Sequence, residues 1–322
     1  MKKYLQLILI LLFLTGCDNK RVFSHNYFYM DTYINVKIYD VQNSETIFSE
    51  VDKIYKEYHE LADRYKGYES LKNVYYLKNN SDSLETVVLD DRLCKMIKLG
   101  LEYNQKTDGK FNINMADILD IWKKYREVGE GIPTLQELEA AKEKINPIVF
   151  KNECEILNNH PSIDLGAIAK GYATEEVGKY LKKSGVDKFI INAGGNVLVG
   201  EHYENDKYKI GLETPDETKK IYKVLKLNNS SVVTSGGYER FYTYDGKNYH
   251  HIIDYNTLYP ANNFKSVTVV TSDSALADTL STSLFLMTID EGKELIKNLQ
   301  VEAIWYTNEN EIITTEGIKN YE

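Results

Sequence analysis

Four short clusters carry most of the chemistry this sequence could perform. In the segment 272–282, Asp278 and Thr282 lie four residues apart, so on a helix both side-chain oxygens share one face. A carboxylate and a hydroxyl so placed suit a hard cation such as Mg²⁺, which takes oxygen ligands and keeps waters or substrate phosphates. The other reading is a hydroxyl bonded back to the helix and a solvated carboxylate. The run Asp164-Leu165-Gly166-Ala167-Ile168-Ala169-Lys170-Gly171 opens a helix with a carboxylate, a glycine turn and a lysine. Unpaired amides at a helix start favour anions, although tight packing through Gly and Ala explains the same residues. Gly194 and Gly195 between apolar runs permit close backbone approach or a plain hairpin. Finally, His250 and His251 are adjacent, and strand alternation sends them to opposite faces. One can act as a proton acceptor near neutral pH; the other is expected to be replaceable at little cost.

These residues need an interleaved α/β frame with a helix-rich first half. Alternation over 27–39 reads as one strand, and helical spacing recurs over 44–65, 90–106 and from 111 through Trp122. Pro133-Thr134 opens a charged helix through Lys144. Beyond about 147 strands alternate with glycine clusters, helices are expected over 166–184 and 274–298, and the last strands fall at 301–306 and 311–314. The segment 244–249 reads as a hairpin turn. No linker divides the chain, so residues 27–322 are expected to form a single domain.

The chain has 322 residues with net charge −9, 43 % hydrophobic and 27 % charged, which is globular composition and argues against a nucleic-acid binder. Its start, MKKYLQLILILLFLTGC, joins two lysines to an apolar run too short to span a bilayer, which needs about 20 residues. Small residues before Cys17 resemble a bacterial lipoprotein signal. Residues 1–16 would be removed, Cys17 acylated, and 17–26 would tether the domain outside the cell membrane. Such a compartment permits a disulfide between Cys94 and Cys154, yet one pair at this spacing argues weakly for it, and two unbridged thiols are the expectation. Neither cysteine has zinc-ligand spacing.

Taken in order, Met30-Asp31-Thr32, DLGAIAKGYA, INAGGNV, TSGGYER, YHHIID and ALADTLST resemble the ApbE family of FAD:protein FMN transferases. The resemblance spans essentially the whole mature chain. It implies an ApbE-like, T-fold-like architecture of mixed sheets and helices. It also implies transfer of the FMN half of FAD to a Thr hydroxyl of an acceptor flavoprotein or membrane redox-complex subunit, releasing AMP. Carried over by position, Asp278, Thr282, the carbonyl of Ala167 and Ser281 match the family's Mg²⁺ site. Met30, Tyr65, Lys110, Phe111, Asn112, Asp164, Lys170 and Ile252 match FAD-contacting positions, and His251 matches the proton-transfer histidine. Asn112 stands where the family often has Asp, and Asp31 where Gly is common. An FAD pyrophosphatase and a lipid-anchored flavin binder are the alternatives. Asp278 is expected to be open to ligand and therefore replaceable without loss of the fold.

Overall fold

A computed structural model describes residues 21–80, 85–203, 206–216 and 218–322; Cys17 and the expected signal lie outside them. The first elements are β1 (Val22–Tyr29) and β2 (Thr32–Tyr39), then α1 (Ser44–Ala62), α2 (Val74–Asn79), β3 (Thr86–Val88), α3 (Asp91–Lys106), α4 (Ala116–Val128) and α5 (Leu135–Lys142). There follow β4 (Phe150–Asn152), β5 (Glu155–Leu157), α6 (Ala169–Lys183), β6 (Phe189–Ala193), β7 (Asn196–Val199), β8 (Tyr208–Glu213), β9 (Ile221–Leu227) and β10 (Ser230–Gly236). The chain continues through β11 (Phe241–Tyr244), β12 (Lys247–His250), β13 (Phe264–Thr271), α7 (Ser274–Phe285), α8 (Ile289–Ile296), β14 (Glu302–Thr307) and β15 (Ile312–Thr314). It ends in a 3-10 turn, Glu316–Tyr321.

The central sheet has eight strands in the order β1-β2-β6-β7-β10-β13-β14-β15, each neighbouring pair antiparallel. Helices α1, α6 and α7 cover one face and the β8–β9 hairpin the other. Strand β13 is therefore buried on both sides: Val267 and Val269 join the helix-side core, while Val270 packs with Leu225 and Leu227 of β9. A third cluster, around Trp122 of α4, Leu138 of α5 and Tyr242 of β11, ties the helical insertion to the β11–β12 hairpin. Among the described residues no helix is long and apolar enough to cross a membrane.

Several expectations change. The strand expected over 27–39 is a hairpin that turns at Met30 and Asp31, both at positive φ (52° and 55°), and β1 already begins at Val22, within the expected tether. Alternation continues across a two-residue turn, which hides it from pattern reading. The helix expected over 274–298 is two, because Thr288 and Glu291 form a capping box that starts α8. The helix expected from 166 begins at Ala169, and α2 had no periodic signal in its six residues. The 244–249 hairpin is present, with Asp245 and Gly246 at the turn.

Cys94 and Cys154 are bridged, contrary to expectation. The bridge fastens α3 to the β4–β5 turn, a contact between segments 60 residues apart that spacing alone could not reveal. Closing a loop of that length constrains the unfolded chain, so Cys94→Ser/Cys154→Ser should lose about 2–4 kcal/mol of unfolding free energy. Denaturant titration checks this; an unchanged midpoint would mean the bridge contributes nothing.

Candidate active site

The site is built where α6 meets α7. Gly171 sits against α7 so closely that a Cβ would lie 2.6 Å from the Asp278 Cβ and 2.6 Å from the Ser274 carbonyl oxygen. That approach lets the Gly171 amide donate to Asp278 Oδ2 at 2.8 Å while Lys170 Nζ reaches Asp278 Oδ1 at 2.6 Å. Asp278 is 4 % exposed, so it is not the open, freely replaceable carboxylate expected. Removing it would leave the Lys170 ammonium without its partner. One turn on, Thr282 Oγ1 lies 3.1 Å from Ser235 Oγ of β10 and, among the described residues, makes no bond back to its own helix. Ser281 is fully buried, contacts Ser235 at 2.8 Å and donates to the Asp278 carbonyl.

A cavity of about 930 Å³ opens over this meeting point, at the upper end of the range of about 300–1,000 Å³ for small-molecule sites. Of the residues singled out by sequence, Met30, Tyr65, Phe111, Asn112, Asp164, Ala167, Lys170, His251, Ile252, Asp278 and Thr282 line it. Ser281 lies behind the wall, and Lys110 is turned to the surface, where its amine pairs with Glu291 at 2.7 Å. Met30 stands on the β1–β2 turn, its amide 3.4 Å from His59 Nδ1. Holding a non-glycine residue at positive φ costs free energy, and such positions gather at ligand sites. The turn is braced from below by the β6–β7 hairpin: Gly194, at φ 55°, leaves no room for a Cβ, which would fall 2.0 Å from Thr32 Oγ1.

Asp164 accepts the Gly166 amide at 2.8 Å and the Arg64 Nε at 2.7 Å. Arg64 also bonds Asp120 at 2.7 Å; burial works against its charge, but the two carboxylates outweigh that and hold it above its usual range. No motif in the sequence marks Arg64, although it directly precedes Tyr65. The Tyr65 ring, 54 % exposed at the mouth, is flanked by Arg64 at 4.4 Å and Lys123 at 4.2 Å. Arg126 and Arg240 line the mouth as well. Arg240 stood inside the TSGGYER segment without a role, and Arg126 carries no motif at all.

The two histidines divide as alternation requires. His250 turns inward: Nε2 donates to the Ala261 carbonyl at 2.6 Å, Nδ1 accepts the Ile252 amide at 3.2 Å, and the ring meets Phe285 edge-on. It is a structural residue, so its replacement will not be cheap. His251 faces the cavity. Its Nδ1 is buried without a hydrogen-bond partner among the described residues. Burial, then the charges of Arg240, His250 and Arg126, push its pKa down to about 3. The imidazole is thus neutral across physiological pH.

A family model for the ApbE family matches residues 30–305. The chain belongs to the ApbE family. Curated relatives in that family include an FAD:protein FMN transferase of Klebsiella pneumoniae (strain 342), 30 % identical over 305 residues, covering 92 % of each chain. Another, from Vibrio cholerae, is 25 % identical over 332 residues and covers all of this chain and 97 % of that one. Among solved structures, the ApbE protein of Thermotoga maritima superposes with a TM-score of 0.82 at 26 % identity, over 94 % of this chain and 99 % of that one. The flavin transferase ApbE from Vibrio cholerae gives 0.80 at 21 % identity, over 94 % and 100 %, a likeness of fold.

A hard metal ion would find only oxygen donors at this site. Among the described residues no three His, Cys, Asp or Glu side chains converge. Asp278, the Thr282 hydroxyl and the Ala167 carbonyl are all-oxygen donors on one cavity, with a single buried carboxylate. That set fits a hard ion which draws its remaining ligands from water and substrate phosphate, as Mg²⁺ does.

If the α6–α7 approach sets the site, Gly171→Ala should force the helices apart, with a loss of about 1–3 kcal/mol. Thermal unfolding measures it; a variant as stable as the parent would show that the contact gives way freely.

Proposed function

We propose that this protein transfers the FMN moiety of FAD to a Thr hydroxyl of an acceptor flavoprotein, with Mg²⁺ bound and AMP released. The observation that carries the reading is that a neutral His251 and the Lys170–Asp278–Thr282 group open on the same cavity. Family membership and the transferase relatives support the same chemistry.

Asp278, Thr282 and the Ala167 carbonyl would hold the ion, which supplies neutralisation of pyrophosphate charge when bound. Lys170 adds a cation beside the same carboxylate and, with it, orients the pyrophosphate. The acceptor oxygen forms a bond to the FMN phosphorus, and the bond from that phosphorus to the oxygen bridging to AMP breaks. The hydroxyl proton goes to the His251 imidazole, and AMP leaves with the bridging oxygen. Met30, Ile252 and Phe111 offer apolar contact that can exclude water from the transfer, favouring a hydroxyl acceptor over hydrolysis.

We also infer attachment by a lipid on Cys17 to the outer face of a bacterial cell membrane. The charged start, the apolar run and the LTGC junction support it, and so does the Cys94–Cys154 bridge, since disulfides persist in oxidising compartments. Cys17→Ser should abolish acylation and release the protein from the detergent phase; a still-acylated, mature-sized variant would refute the anchor.

The function is tested by incubating the protein with FAD, Mg²⁺ and extracytoplasmic proteins of the cell. A transferase leaves a flavin-fluorescent acceptor band with AMP, a hydrolase AMP without the band, and a binder neither. In that assay His251→Ala should lower transfer about 10²–10⁴-fold, the usual range for a general base. FAD affinity should change little. Because the free-enzyme imidazole is neutral down to about pH 3, kcat/KM should show no His251 inflection near pH 6.5. An inflection there that disappears in His251→Ala would mean the ring is not held neutral.

A further inference from the structure

Most cavity charges are already matched. Lys170 is paired with Asp278, and Arg64 with Asp164 and Asp120. Two are not. Arg126 of α4 and Arg240 of the β10–β11 loop both line the mouth, and neither makes an ion pair among the described residues. Arg240 Nη2 donates to the Asp31 carbonyl at 3.1 Å, which ties it to the β1–β2 turn. Among the described residues Arg126 makes no hydrogen bond; burial and then the repulsion of Arg240 lower its pKa, with Glu127 opposing. Two cations that repel each other at the edge of a cavity, in a chain of net charge −9, are an arrangement that an anion would relieve. Glu239 and Asp31 also line the mouth, but neither pairs with the two guanidiniums through its carboxylate.

Resting on the transferase reading above, we propose that Arg126 and Arg240 form a clamp for a carboxylate side chain of the acceptor segment, next to the Thr that is modified. The pyrophosphate has its own cation and metal donors on the α6–α7 floor, where Asp278 is buried. The arginines lie on the solvent side, where Arg240 is exposed, and both act on His251. An acceptor group docked beside His251 lies within their field. A guanidinium pair matches a carboxylate by charge-assisted, two-pronged hydrogen bonds. Docking there would also offset the positive field that disfavours the protonated ring, so His251 becomes a stronger base when an acceptor is seated.

The test uses the full chain with an acceptor recovered as the flavin-labelled band. The Arg126→Gln/Arg240→Gln variant should raise KM for that acceptor about 10–100-fold, with FAD affinity within about twofold of the parent. Changing each Asp or Glu near the target Thr to its amide should identify one position with the same loss in the parent enzyme. The double-Gln enzyme should be nearly indifferent to that change. An unchanged KM, or the absence of any coupled acceptor carboxylate, overturns the clamp. Equal loss of FAD affinity overturns it too, since the pair would then hold the nucleotide. No transfer by the parent enzyme to any acceptor would instead overturn the functional reading, and the clamp with it.

Discussion

The active cavity depends on one buried carboxylate and the backbone that approaches it. Asp278 lies inside the protein, where an ionised group is costly unless neutralised and hydrogen-bonded. Lys170 supplies the charge and the Gly171 amide the hydrogen bond, both from the first turn of α6. Only a residue without a Cβ can bring that turn so near α7. One turn further along α7, Thr282 lies against Ser235, and Asp164 and Ala167 line the same cavity. A packing constraint between two helices is therefore also the constraint on where a substrate phosphate can be bound.

Around that floor the charges divide by depth. Inside, cations and carboxylates are paired; at the mouth, Lys123 and Arg64 flank Tyr65, and two arginines stand without ion-pair partners among the described residues. Between the two zones His251 is kept neutral by burial and by those arginines. A neutral imidazole can accept a proton, but one whose pKa is so low is a weak base until its surroundings change. The resting protein thus holds its base in the right protonation state at reduced strength, and an incoming anion could raise it.

Much of this was legible in the sequence because the informative residues are local. The Asp278–Thr282 pair, the Asp164–Lys170 turn, the glycine hairpin and His251 each belong to a short contiguous pattern, and all of them meet at the cavity. Long helices announced themselves by periodicity, as in α1 and α3. What stayed hidden depended on distance. The Cys94–Cys154 bridge and the burial of Asp278 arise from segments far apart in the chain. Arg126 reaches the site only because α4 packs, through Trp122, against the β11–β12 hairpin. Lys110 went the other way, captured by Glu291 of a helix 181 positions later. The Met30–Asp31 turn was missed because a side chain at positive φ gives no glycine signal.

The central claim is that this cavity moves FMN onto a hydroxyl, and peptide mapping by tandem mass spectrometry tests it most directly. After incubation with FAD and Mg²⁺, the account predicts FMN joined through its phosphate to one Thr of the acceptor, in amounts matching the AMP formed. AMP accompanied only by free FMN, with every acceptor Thr unmodified, would contradict it.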